Sequence, residues 1–368
     1  MIRNKPPFRA DHVGSLLRPP ELKEARRRRE RGEISLSELK SAEDAAIEKV
    51  IARQADVGLR SATDGEFRRT MWHFDFLEAL EGVESFRSDH GISFKGGIET
   101  QPKGLRVSGR IGYSGHPMVD HFRFLRDHTR ATPKMTIPSP SVLHFRGGRN
   151  AVSRDIYPEM DELYHDLADA YRGAVHAFAE AGCRYLQLDE VNLAYLCDEE
   201  QRQMLRDRGD NPEELPAVYA RMINRAIGGR PADMRITMHL CRGNFRSSWI
   251  AQGGYEPVAE MLFNEIGVDG YFMEFDTERA GGFDPLRFVP RHKTVVLGIV
   301  TSKNGVLETG EYLERRIEEA SRFIDVDQLC LSPQCGFAST EEGNILTEDE
   351  QWAKLARIVD VAAKVWGG

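Results

Sequence analysis

Four side chains carry most of the chemical information in this sequence: His239, Cys241, Glu274 and Cys335. Residues i and i+2 of an extended strand point to the same side. The imidazole of His239 and the thiol of Cys241 can therefore reach one ion without a loop between them. Glu274 ends the run Tyr271-Phe-Met-Glu, and Cys335 follows Leu331-Ser-Pro-Gln, so both lie at the ends of further strand-like segments. A His-x-Cys pair alone would read as core packing, because free cysteine is often simply buried. Four donors at three strand ends point instead to a metal. One imidazole, two thiolates and a carboxylate suit Zn2+, a borderline-soft ion that takes N, S and O donors. The three anionic ligands outweigh the dication by one charge. Such a site favours a nucleophilic thiolate over Lewis-acid hydrolysis, and its carboxylate could leave when a substrate sulfur arrives. Cys183, Cys197 and Cys330 read as packing residues, and five irregularly spaced cysteines make a poor disulfide framework.

Glu66 and Asp189 form a second group. Two carboxylates at one site can act as general acid and base, or can receive the ammonium of an amino acid. Backbone N–H groups of the Gly14-Ser15 turn could receive a carboxylate. A zwitterionic thiol would satisfy carboxylate, ammonium and sulfur sites together. Glu190 would point away from Asp189 in an extended strand. Arg68, Arg69 and Arg110 are candidate anion contacts, and Trp72, His73 and Phe74 are expected to pack.

The elements that must position these residues alternate between strand and helix. Strands are predicted at 9–13, 59–63, 133–137, 185–189, 235–239, 271–275, 294–299 and 328–332, with helical patterns between them. Eight parallel βα units close a (β/α)8 TIM barrel, and functional residues then cluster at the strand C-termini. The absence of a Gly-rich dinucleotide loop after the first strand disfavours an open doubly wound sheet. A helical extension is expected between Glu21 and Val57, a helix over 68–82, and a β-hairpin insertion over 91–120, all within one domain spanning 1–368. The chain has 368 residues, 40% hydrophobic and 29% charged, with a net charge of −8. That acidity argues against a nucleic-acid binder. No apolar run approaches the ~20 residues that span a bilayer, and the first residues lack a signal-peptide core, so a cytoplasmic location without membrane partners is expected.

The ordered set of motifs resembles the catalytic C-terminal half of the cobalamin-independent methionine synthase family, over nearly the whole chain. His-Val-Gly-Ser at 12–15 is similar to that family's homocysteine-binding Ile-Gly-Ser, and Asp-Gly-Glu at 64–66 to its His-Gly-Glu. Leu-Gln-Leu-Asp-Glu at 186–190 resembles the Gln-Ile/Val-Asp-Glu-Pro strand, Met-His-Leu-Cys at 238–241 the His-Met-Cys motif, and Ser-Pro-Gln-Cys-Gly at 332–336 Asn-Pro-Asp-Cys-Gly. The resemblance implies a (β/α)8 barrel, zinc on His239, Cys241, Glu274 and Cys335, and homocysteine held by Val13, Gly14, Ser15, Glu66 and Asp189. It matches Arg110 to an arginine on the folate side.

The departures fall on the donor half. The family's Trp after the third strand is absent, with Phe145 the nearest aromatic, and Thr301-Ser-Lys-Asn-Gly305 stands where its catalytic His would be. The additional N-terminal barrel of the full-length enzymes is also lacking, as in the family's short single-barrel branch. The expected activity is zinc-dependent methylation of homocysteine to methionine, with a methyltetrahydrofolate or a methylcobalamin carrier as donor. The alternatives are a thiol–epoxide transferase acting on coenzyme M and a non-catalytic zinc- and homocysteine-binding protein. A homo-oligomer is left open.

Overall fold

The computed structural model describes residues 3–89, 91–101 and 103–367. Its centre is a ring of parallel strands. Met135–Pro138, Tyr185–Glu190, Arg235–Leu240, Gly270–Glu274, Thr294–Val300 and Leu329–Pro333 are hydrogen-bonded neighbours in that order. Ser61–Ala62 pairs in parallel with Thr132–Pro133, which runs on into Met135–Pro138. The eighth stave is the segment around Ala10, where Asp11 N donates to Leu331 O (3.0 Å) and Leu331 N donates to Arg9 O (2.8 Å). The result is the (β/α)8 barrel that the strand count predicts. Strands of such a sheet are covered on both faces and so read as apolar runs; all seven residues of Thr294–Val300 are buried.

The ring is not closed by a ladder everywhere. Between the Ala10 segment and Ser61–Ala62, side chains do the joining. Asp11, fully buried, accepts from Ser61 Oγ (3.0 Å) and Tyr185 Oη (2.8 Å) and lies 3.5 Å from Lys134 Nζ. Higher up, Thr63 Oγ1 donates to Gly14 O (2.7 Å) and Leu16 N donates to Gly65 O (3.1 Å). Lys134 fills the barrel interior under this seam. Its ammonium donates to His12 O (2.5 Å) and sits 4.0 Å from the Phe272 ring centroid.

Helices pack outside the ring where the periodicity places them. Leu36–Asp56 starts at a capping box, Ser35 receiving Glu38 N while the Glu38 carboxylate receives Ser35 N. Met160–Glu180 ends just before Gly182, whose φ is 93°. Two expectations need correction. The helix over 68–82 is only Phe74–Leu77, because Glu81–Arg87 is already a strand. The hairpin does not run over 91–120: its long arms are Glu81–Arg87 and Lys103–Gly112, its tip pairs Ser93–Phe94 with Ile98–Glu99, and Pro117–His128 is a helix. Gly82 allows the close approach of the two arms, since a Cβ there would stand 2.4 Å from Arg110 O. The tip folds back over the barrel mouth, where Lys95 N donates to Trp249 O (2.8 Å) and Ser248 Oγ donates to Lys95 O (2.5 Å).

Candidate metal centre and thiol site

His239 and Cys241 follow one another at the C-terminal end of Arg235–Leu240, and the in-register neighbours of His239 are Asp189 on one side and Phe272 on the other. Glu274 ends the next strand, and Cys335 lies just beyond Leu329–Pro333. The structure brings all four together. One donor atom from each residue lies within 4.8 Å of the others, all four residues are buried, and the Cys241 and Cys335 Sγ atoms are 3.5 Å apart.

Neither ring nitrogen of His239, both buried, has a hydrogen bond of ordinary geometry, and the Cys335 thiol is the polar group beside the ring. A buried polar atom left unpaired costs about 1–3 kcal/mol, so this imidazole calls for a ligand, and an ion among the four donors would supply one. Glu274 is oriented from outside: Oε1 accepts from Arg242 N (2.8 Å) and Oε2 from Arg279 (2.7 Å). Burial alone would raise its pKa, but Arg279, Lys303 and the Arg242 N–H outweigh it and hold the carboxyl at about 2. The hydrogen bond between the two cysteines, with His239 alongside, pulls the Cys335 thiol well below its ordinary range. The same hydrogen bond, with burial, pushes the Cys241 thiol well above its ordinary range, so Glu274 and Cys335 are the anionic donors of the cluster.

Glu66 and Asp189 stand beside it, lining the same pocket as His239, Cys241, Cys335, Val13 and Ser15. Asp189 shares its strand face with Gln187, which donates to it (2.7 Å) and also to Val13 O (2.6 Å). Glu66 accepts from Thr136 Oγ1 (2.7 Å), and Arg69 lies 3.5 Å away. Burial, and then the neighbouring Glu66, push the Asp189 pKa up to about 7; burial also raises Glu66. Two carboxylates held against their preference for water are a receptor for a cation such as an ammonium. Glu66 has φ 62°, a conformation uncommon outside glycine, fixed by Asp64 Oδ1 accepting from its N–H (2.8 Å). Gly14 has φ 143°, and a Cβ there would stand 2.7 Å from Thr136 Cγ2, so the turn that could receive a carboxylate leaves no room for a side chain.

Other expectations are redirected. Arg110 is not brought to the pocket: it lies on the outer hairpin arm, exposed, paired with Glu162 (3.0 Å) and Asp166 (2.8 Å). Arg68 is paired with Glu43 and Asp44, and Arg69 donates to Thr136 O (2.5 Å). Glu190 turns away from Asp189, accepting from Ser141 Oγ and Asn192 N. Cys183 and Cys330 are fully buried in the core, and Cys197 donates to Leu193 O. Trp72 and His73, for which packing under the hairpin is favoured over lining the mouth, do line the pocket, as do Ile92 and Phe94 from the hairpin tip and Arg146 and Tyr195 from the barrel loops. The open space in the pocket, counted out to the solvent at its mouth, is about 590 Å3.

A parallel barrel with a His/Cys/Glu/Cys donor cluster at its C-terminal mouth, beside two buried carboxylates, places the chain in a class of barrel proteins with a candidate soft-metal centre. The chain belongs to the cobalamin-independent synthase, catalytic domain family, whose model matches residues 8–364. It is 50% identical to the uncharacterized protein YxjH of Bacillus subtilis, covering 99% of this chain and 96% of that protein. It is 24% identical to the methionine synthase of Saccharolobus solfataricus over 95% of this chain and 92% of that one. Among solved structures, the putative vitamin-B12 independent methionine synthase of Listeria monocytogenes matches at 40% identity with a TM-score of 0.80, each chain covered in full (100%). A B12-independent methionine synthase from Shewanella, in complex with selenomethionine, shares the fold at 20% identity with a TM-score of 0.71 over 97% of both chains. Among the described residues, no helix is long and apolar enough to cross a membrane.

Proposed function

We propose that this protein is a zinc-dependent methyltransferase that converts homocysteine to methionine. The observation that carries the reading is the joint presence in one pocket of a four-donor soft-metal cluster and the buried pair Glu66 and Asp189. His239, Cys241, Glu274 and Cys335 would hold zinc, which would supply a low-pKa site for the substrate thiol. Glu66 and Asp189 bind the ammonium, and the Gly14-Ser15 turn binds the carboxylate. These contacts fix the amino acid so that its sulfur lies against the cluster and its free side faces the hairpin tip. The donor enters that side; its methyl passes in line to the sulfur as the methyl–donor bond breaks, the electron pair of that bond stays on the donor, and the proton given up by the thiol balances the one the donor takes up on leaving. Positioning two reactants in this way supplies much of the acceleration. Arg279 retains the Glu274 carboxylate, giving it a partner when sulfur takes its place at the cluster.

A methyltetrahydrofolate or a methylcobalamin carrier is the donor class that the family suggests. Membership supports the methyltransfer reading, as does the methionine synthase name of the Saccharolobus relative. A sulfonate thiol such as coenzyme M has no ammonium and would leave Glu66 and Asp189 unpaired, which argues against the epoxide alternative. The five unpaired cysteines suit the cytoplasm. Zinc-edge X-ray absorption of the purified protein tests the reading. The expected result is one zinc with two sulfur ligands, rising to three on addition of L-homocysteine. Zinc absent, or zinc with an unchanged sulfur count, would overturn it.

A further inference from the structure

Opposite the metal cluster, the same pocket carries polar groups that the thiol half does not use. Arg146, from the helix Ser141–Gly147, lines the pocket; its Nε is buried without a hydrogen-bond partner, and its guanidinium makes no ion pair with any described carboxylate. Its carbon lies 5.9 Å from the Tyr195 ring centroid. The Tyr195 hydroxyl is buried with Arg146 as its polar neighbour, and both ring nitrogens of His73, a fully buried side chain between Trp72 and Phe74, have no hydrogen-bond partner. Most arginines around the barrel mouth are spoken for: Arg68, Arg69 and Arg279 each face a carboxylate within 3.5 Å. Arg146 faces none of these carboxylates, and neither does Arg242, which is fully buried with its guanidinium nitrogens unpartnered but lies over the Tyr255 ring (4.2 Å to the centroid) and outside the pocket lining.

These groups have one chemistry in common. An unpaired guanidinium and a phenolic O–H are donors. Burial, reinforced by the charges of Arg146 and Lys103, keeps His73 neutral, so its ring offers one N–H as well as one acceptor. These donors line one aromatic-walled pocket, and Arg146 has no carboxylate of its own there, a combination that suits an oxyanion. A cationic methyl donor would be repelled by Arg146, and a wholly apolar one would leave the Arg146 charge and the His73 ring unmatched.

We propose that Arg146, Tyr195 and His73 form an oxyanion subsite facing the metal cluster, and that the alkyl donor carries a compact carboxylate or phosphate-type group seated there. The subsite itself stands on these residues; naming its occupant as the donor rests on the methyltransfer reading.

The test is calorimetric titration of the zinc-loaded protein, first saturated with L-homocysteine, with acetate and with inorganic phosphate as separate probes. Saturable binding of one probe at one site per chain is expected, and the better probe separates carboxylate from phosphate chemistry. Arg146→Gln should weaken that binding at least tenfold and His73→Phe severalfold, with zinc content and homocysteine affinity kept. Arg146→Lys, which preserves charge and fold, should fall between. No saturable binding by either probe, equal binding in Arg146→Gln, or displacement of homocysteine by the probe would overturn the subsite. Anion binding that depends on Arg146 in a protein that does not bind homocysteine would leave the subsite standing and remove the methyltransfer reading.

Discussion

The sulfur atoms of Cys241 and Cys335 lie 3.5 Å apart although 94 positions separate them in the chain. The two residues lie beyond strands that are not neighbours: Gly270–Glu274 and Thr294–Val300 stand between them in the ring. Curvature of the closed barrel brings their thiols to a common point. The arrangement also makes the cluster depend on the whole run of strands from Arg235–Leu240 to Leu329–Pro333 being in place.

That dependence gives the first prediction. Cys335→Ser should lose at least tenfold in zinc affinity, measured by competition with a chromophoric chelator, while retaining its circular dichroism. Cys330→Ser, a change inside the core, should keep zinc stoichiometric. Full zinc affinity in Cys335→Ser would remove that residue from the ligand set.

Glu66→Gln keeps the side-chain shape and deletes its charge. Hydrogen bonds to charged groups are worth about 1.5–3 kcal/mol, so L-homocysteine should bind roughly 10- to 100-fold more weakly, with zinc content unchanged. Isothermal titration of zinc-loaded protein would show this, and an unaltered affinity would show that the ammonium sits elsewhere.

Asp189 predicts a pH dependence of stability in the metal-free protein. Its pKa is raised in the folded state to about 7 from an ordinary value of 3.8, so the native state holds a proton that the unfolded chain gives up. By linkage, its contribution falls as pH rises from about 4 to about 7 and levels off above that. Asp189→Asn imitates the protonated form. Urea denaturation should find the two proteins close in stability near pH 4 and the variant more stable at pH 8. A constant difference across that range would contradict the shift.

Asp11→Asn tests the barrel seam. Removing one charge from the buried contact with Lys134 leaves an ammonium poorly compensated, which typically costs about 3–5 kcal/mol. The midpoint of urea unfolding should drop accordingly, even though Asp11 is not in the pocket lining. A change within 0.5 M of the parent midpoint would show that the ladder to Leu331 suffices.

The thiol half of the pocket was legible in the sequence because its residues terminate strands, and a strand end in a parallel barrel has one place to go. His239 and Cys241 share a side by the two-residue period alone, and the register Asp189 to His239 follows once neighbouring strands are in order. The donor half was not legible. Arg146, Tyr195 and His73 belong to short helices and turns, and their meeting depends on where the hairpin tip lands. The hairpin's first arm, Glu81–Arg87, was missed because Gly82 permits a strand in what otherwise reads as a helical aromatic run. Arg110 looked like an anion contact because its partners, Glu162 and Asp166, come from a distant helix. Likewise, nothing local announces that the first stave makes its ladder on one side only.

That one-sided stave bears on substrate binding. The joint between the Ala10 segment and Ser61–Ala62 is bridged by side chains and by the turns at Gly14 and Gly65. An amino acid with its carboxylate on Gly14-Ser15 and its ammonium on Glu66 would touch both banks of that joint. The substrate would then act as a missing rung, spending part of its binding energy on holding the cylinder shut. Homocysteine should slow exchange of the amide protons flanking the joint by a larger factor than it slows those between fully laddered strands, so ligand affinity and local rigidity are one quantity seen from two directions.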